Sequence, residues 1–210
     1  MNPHRSVKQI VHLSLLAMLL VGCIGGQHEP TPIPDPPSAN LTRLAGKRVL
    51  FIIYDRFMDS EYSIPRRILE DLGATSTVAS SSSDALLGST GDRVQPDALL
   101  GDLQAGDYDA VVFVGGENVE SGNPEAHRIA QEAAALGKVV AAICAAQATL
   151  VRAGVAEGRQ ATRSGAAQES QPAGANSSRV SIEGGGLVIM ARGPLDSREF
   201  GEAIAAAMGK

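Results

Sequence analysis

From residue 47 onward, short unbroken apolar runs take turns with amphipathic stretches. Lys47–Tyr54 (KRVLFIIY) predicts a first strand buried on both faces, because it shows no polar alternation. After a loop over 55–59, Ile64, Ile68, Leu69 and Leu72 share one helical face, and Gly73 marks the stop. Pro65 must lie in the first turn of that helix or kink it. Thr75–Ala79 predicts a second strand, and Ser80–Leu103 a region of loops and short elements with Val94 in a small extra strand. Ala110–Val114 is the next buried strand, ending in Gly115-Gly116. Asn123 and Pro124 suit the N-cap and first position of a helix to Leu136, closed by Gly137. Val139–Ile143 forms a further strand that runs into Cys144 and an alanine-rich helix stopping at Gly154. A polar stretch of small residues covers 163–178. Val180–Ile182 and Leu187–Ala191 then flank Glu183-Gly184-Gly185-Gly186 as a hairpin. Asp196 with Glu199 predicts a capping box for a last helix carrying Phe200, Ile204 and Met208. Strands alternating with helices predict an open α/β fold: a doubly wound, mostly parallel sheet with helices on both faces.

Ligands of such sheets gather at the carboxyl ends of the strands. Three candidates fall there: the loop holding Glu61, the pair Gly115-Gly116, and Cys144. Almost no loop separates the Cys144 strand from its helix, so the cysteine sits at a sharp elbow facing free backbone N–H groups, Ala145 among them. The positive end of the helix dipole is expected to lower the thiol pKa. The competing reading is a small cysteine packed as a hydrophobe.

Residues 1–22 change the picture of where the domain works. His4, Arg5 and Lys8 precede an apolar core, Leu13–Val21, too short to span a bilayer comfortably. The ending Leu20-Val21-Gly22-Cys23 resembles the lipobox of bacterial lipoproteins, in which the cysteine is lipidated and becomes the first mature residue. The resemblance implies a membrane partner through Cys23 and an extracytoplasmic position in the cell envelope. Ile24 after the cysteine favours the periplasmic side of the outer membrane in a Gram-negative cell. An ordinary signal peptide or an uncleaved anchor is the alternative. Residues 23–46 would be the lipidated cysteine and a linker, rich in proline (Pro30, Pro32, Pro34, Pro36, Pro37), before a domain over 47–210. Of the two cysteines, lipidation takes Cys23, which leaves Cys144 unpaired in a disulfide-permissive compartment.

The formal net charge is −5, no basic cluster occurs and tryptophan is absent, which argues against nucleic acid as a partner. No phosphate loop, dinucleotide fingerprint or His/Cys zinc spacing is present, so no cofactor and no metal are expected.

Five ordered segments then resemble the ThiJ/PfpI family, in the flavodoxin-like superfamily that includes the Parkinson-disease protein deglycase. They are Asp59-Ser60-Glu61-Tyr62-Ser63-Ile64-Pro65, Tyr108–Gly116, Ala141–Ala146, Gly158–Thr162 and Ala191-Arg192-Gly193-Pro194. The resemblance implies a flavodoxin-like fold, Cys144 as the reactive elbow cysteine, Glu61 as its partner carboxyl group, and Gly115 and Gly116 as backbone donors facing the thiol. It also implies a homodimer. A carboxyl group beside a thiolate in an apolar crevice is expected to have its pKa raised, by desolvation and by like charge. Two departures bear on activity. The histidine of protease-like members, directly after the cysteine, is Ala145 here, and Arg163-Ser164 occupy the later histidine position of deglycase-like members. His127 is expected on a helix surface, and a Cys-His peptidase is disfavoured. The expected activity is thiol, redox or small-electrophile chemistry on reactive carbonyls or oxidants. The alternatives are an inactive envelope binding module, or a histidine-free hydrolase or lyase whose base comes from Glu61 or from a second subunit.

Overall fold

A computed structural model describes residues 43–156 and 180–210. The expectations for the leader, Cys23, the linker up to residue 42, Gly158–Thr162 and the polar stretch 163–178 lie outside the described residues. The last four linker positions do not, and there Leu44 is fully buried in the core with its N–H donating to Leu72 O (2.8 Å), so the folded domain starts before residue 47. The strands are β1 (Arg48–Ile52), β2 (Thr75–Ser80), β3 (Leu86–Leu87), β4 (Arg93–Val94), β5 (Ala98–Leu99), β6 (Ala110–Phe113), β7 (Val139–Ile143), β8 (Val180–Glu183) and β9 (Val188–Ala191). The helices are α1 (Asp59–Asp71), α2 (Pro124–Ala135), α3 (Gln147–Arg152) and α4 (Ser197–Met208). Seven strands form one sheet in the order β5-β2-β1-β6-β7-β9-β8, with β3 and β4 a separate antiparallel hairpin. Every pairing in the large sheet is parallel except β8 with β9. This is the expected doubly wound, flavodoxin-like class of sheet.

The apolar runs that lack alternation are the central strands, because helices cover both their faces. Val49 and Phe51 of β1, Val112 of β6, Ala141 and Ile143 of β7 and Ile189 of β9 pack with Tyr62 and Leu69 of α1 and Phe200, Ile204 and Met208 of α4. The intervening Leu50, Ile52, Val111, Phe113, Val140, Ala142 and Met190 pack with Ala126, Ile129 and Ala133 of α2 and Leu150 of α3. Burying the larger of these side chains on both faces contributes roughly 1.5–3 kcal/mol each and fixes these runs as interior strands. Among the described residues no helix is long and apolar enough to cross a membrane.

Local signals account for the helix ends unevenly. Asn123 caps α2 as expected, its Oδ1 accepting the N–H groups of Glu125 (2.9 Å) and Ala126 (3.2 Å). Pro65 is not in the first turn of α1: it is the seventh residue of a helix that continues through it. Lacking an N–H, it leaves the Glu61 carbonyl without its helical partner. Gly201 lets α4 approach at that point, since a β-carbon there would lie 2.9 Å from Pro65 Cα. The Asp196–Glu199 capping box does not form. The short helical turn Pro194–Asp196 runs directly into α4 and puts Asp196 at φ −99°, ψ 1°, outside the extended conformation a cap needs. Its carboxylate lies 3.6 Å from Arg192 Nε instead.

Candidate active site

Strand alternation alone would send Cys144 to the α2/α3 face, because Ile143 before it faces α1 and α4. Cys144 instead has φ +58°, a left-handed conformation that non-glycine residues seldom adopt and that is strained. The turn that follows, Cys144–Ala146, is a tight helical one leading straight into α3. The result is an elbow that keeps the half-buried sulfur on the α1/α4 face, packed against the same cluster as Ile143. There it meets Glu61.

Glu61 is the third residue of α1 and has no solvent-accessible surface. Gly115 makes room for the pair: a β-carbon there would lie 2.7 Å from Cys144 Cβ and 2.9 Å from Ile143 O, and would overlap Glu61 Oε2. The loop after β9 closes the other side, where a β-carbon on Gly193 would come within 3.9 Å of Glu61 Oε1. The Gly115 N–H and the Cys144 thiol face the carboxyl group. Neither Glu61 oxygen, however, reaches a partner at hydrogen-bond geometry. These contacts are therefore electrostatic proximity, loose in the way catalytic groups often are before substrate binds.

Gly115 and Gly116 were expected to face the thiol, but Gly115 turns its N–H to Glu61 instead and Gly116 is taken up in backbone pairing, so of the three expected donors Ala145 is the one at the sulfur. The Ala145 N–H faces the Cys144 sulfur and favours its anion. Gly116, at φ +153°, pairs with Phe57 as an antiparallel bridge, and a β-carbon there would lie 2.5 Å from Arg56 O and 2.7 Å from Phe57 Cα. Met58 N–H donates to Gly115 O (3.0 Å) and Glu117 N–H to Arg56 O (3.0 Å), so the two glycines tie the start of α1 to the end of β6.

The electrostatics correct one expectation and match another in part. The Cys144 thiol is not lowered by the helix: burial first, and then the Glu61 charge, push it up to about 11. The dipole of a six-residue helix behind a short turn does not offset that. Glu61 is raised from 4.5 to about 7 by desolvation, as expected, but not by like charge: the Cys144 thiol and the Gly115 N–H act weakly in the opposite direction. In such a pair the protons come off in two steps that belong to both groups. Around neutral pH the pair exchanges its first proton.

His127 sits on α2, half-buried, with Nε2 2.8 Å from the Ser121 carbonyl oxygen. Among the described residues no group of three or more His, Cys, Asp or Glu side chains is arranged to hold a metal ion. The pattern of residues did not single out Asp59, buried two positions before Glu61. In the sequence it reads as the last residue of a loop, whereas it opens α1 and accepts two N–H bonds from the β3–β4 loop.

With this geometry in hand, the relatives fall into place. The family model described as the DJ-1/PfpI family matches residues 47–207. An uncharacterized protein of Methanocaldococcus jannaschii is 30% identical over 170 residues, covering 78% of this chain and 83% of the relative. A Pyrococcus furiosus protein named Deglycase PfpI is 32% identical over 117 residues, 55% of this chain and 70% of its own. The crystal structure of a ThiJ/PfpI domain protein from Brachyspira murdochii superposes with a TM-score of 0.69 at 25% identity, over 78% of this chain and 98% of that one. Matched over most of its length by family, relative and fold alike, this chain belongs to the DJ-1/PfpI family.

Proposed function

We propose that the domain is a cysteine-dependent protein acting on small reactive carbonyls, with Cys144 as nucleophile and Glu61 as its proton acceptor. The observation that carries this reading is the burial of Glu61 without a well-formed partner, against a thiol. A desolvated carboxyl group costs several kcal/mol and serves no packing purpose that an apolar side chain would not serve better. Held near pH 7, it is matched to moving a proton at neutral pH, which the thiol alone is not. In the step proposed, sulfur attacks the carbonyl carbon and the carbon–oxygen π bond breaks. The thiol proton passes to the Glu61 carboxylate and returns to the new alkoxide oxygen, giving a neutral hemithioacetal. The Ala145 N–H stabilises developing charge on sulfur. Relatives that carry the name deglycase support the same class of chemistry.

Consumption of a 2-oxoaldehyde tests it. The wild type is expected to consume the aldehyde and form a sulfur adduct visible by mass. Cys144→Ser should abolish both, and Glu61→Gln should slow them at least tenfold at neutral pH. A folded wild type that forms no adduct would instead support a binding module that kept the scaffold without the chemistry.

The domain is further proposed to work from a lipid anchor on Cys23, outside the cytoplasm. Support comes from Leu20-Val21-Gly22-Cys23 directly after an apolar run and before a proline-rich spacer. Mass spectrometry of the mature protein should find an acylated N-terminal Cys23. An unmodified Cys23, or cleavage elsewhere, would contradict the anchor.

A further inference from the structure

The first turn of α1 carries two buried carboxyl groups two positions apart, Asp59 and Glu61. Side chains at that spacing leave a helix about 200° apart, in nearly opposite directions. Glu61 goes to Cys144. Asp59 goes to the loop joining β3 and β4, where its Oδ2 accepts the Thr90 N–H (2.7 Å) and its Oδ1 the Asp92 N–H (2.9 Å). Gly88 closes on the same carboxylate, since a β-carbon there would lie 2.6 Å from Asp59 Cγ and 2.7 Å from Oδ2. The hairpin grips the chain just before α1 as well. Arg56 N–H donates to Leu87 O (2.7 Å) and Ser89 N–H to Phe57 O (2.8 Å). Ser89 Oγ adds bonds to Arg56 O (3.1 Å) and Phe57 O (3.0 Å). Met58, the residue at the cap position, contributes no side-chain cap.

This arrangement opposes a definite force. A desolvated carboxyl group gains free energy by reaching water, and a rotation of the first helical turn would carry it there. Asp59 stands on the far side of that turn, so its two bonds to the hairpin resist the same rotation. Glu61 provides the tendency to leave, and Asp59 the restraint.

We propose that Asp59 is a positioning residue for Glu61: clamped to the 88–92 loop, it fixes the rotation of the first turn of α1 that holds Glu61 against Cys144. The β3–β4 hairpin is thereby a working part of the site. The inference rests on the Cys144–Glu61 reading given above and adds to it the device that maintains the pair.

The test is the pH dependence of Cys144 alkylation by iodoacetamide in wild type, Glu61→Gln, Asp59→Ala and Gly88→Ala, each first checked for folding by circular dichroism. Gly88→Ala leaves α1 untouched and displaces the Asp59 carboxylate from the hairpin side, so it serves even where Asp59→Ala does not fold. The wild-type rate is expected to rise through about pH 7, an inflection absent in Glu61→Gln. Both clamp variants should follow the Glu61→Gln profile, without the inflection near pH 7 and with a rate at pH 7 about tenfold below wild type, because no carboxylate then stands against the thiol to take its proton. A general loss of stability would not move that inflection. Folded clamp variants that keep the wild-type profile overturn the role of Asp59 and leave the pair intact. If wild type and Glu61→Gln share one profile, the pair itself is overturned, and the clamp with it.

Discussion

Replacing Glu61 with glutamine keeps the side-chain shape and removes the proton equilibrium, which isolates the energetic consequence of burying this carboxyl group. Burial raises Glu61 from 4.5 to about 7. Between those values the folded protein keeps a proton that the unfolded chain has released. The folded state therefore binds more protons, and its stability falls as pH rises through the window. The contribution is fully present below the unfolded value and fully lost above the folded one. At about 1.36 kcal/mol per unit, two and a half units amount to about 3 kcal/mol, with about 2 kcal/mol already lost by about pH 6. Glutamine has no such loss. Urea unfolding of both proteins at a series of pH values should show the variant gaining on the wild type by about 3 kcal/mol between about pH 4 and pH 8. Other titrating groups cancel in the difference, and Cys144 does not enter, because its range lies above its ordinary value of 9. A gap between the two proteins that stays constant over this range would refute the claim that Glu61 keeps its proton in the fold.

Three further outcomes follow from the same geometry. Gly115→Ala should disrupt the site directly, because the added methyl meets Cys144 Cβ, Ile143 O and Glu61 Oε2. Alkylation of Cys144 should slow at least tenfold, and denaturant unfolding should report a loss of about 1–3 kcal/mol from overpacking. Gly201→Ala, forced against Pro65 Cα at 2.9 Å, should cost a similar amount, read from the urea midpoint. Asn123→Ala removes two cap bonds of α2 and should cost about 1 kcal/mol while leaving Cys144 alkylation unchanged.

The presence and two-sided burial of the central strands were legible in the chain because Val49–Ile52, Val111–Phe113 and Val139–Ile143 are apolar without alternation. Only a strand covered on both faces tolerates that. Their order in the sheet was not legible. The Asn123-Pro124 start of α2 was equally plain, since both residues act through bonds to their immediate neighbours. What escaped depends on backbone geometry that composition does not specify or on contacts far apart in sequence. Asp196 has the spacing of a cap, but the Pro194–Asp196 turn gives it the wrong backbone. Asp59 reads as the last residue of a loop until the hairpin 31 positions away is seen to donate to it. The thiol illustrates a contest of magnitudes: a helix start favours its anion, but burial and a neighbouring acid push harder in the other direction. The meeting of Glu61 with Cys144 was expected from a family resemblance and not from spacing, since no local rule joins residues 83 positions apart.

The most direct test of the account follows the Glu61 carboxyl carbon by NMR in protein labelled with carbon-13 glutamate, assigned by its loss in Glu61→Gln. A carboxyl group held dry against the Cys144 thiol should titrate with a midpoint near 7. A midpoint in the ordinary glutamate range, about 4.3, would mean that water reaches it, and the proposed site would not exist as described.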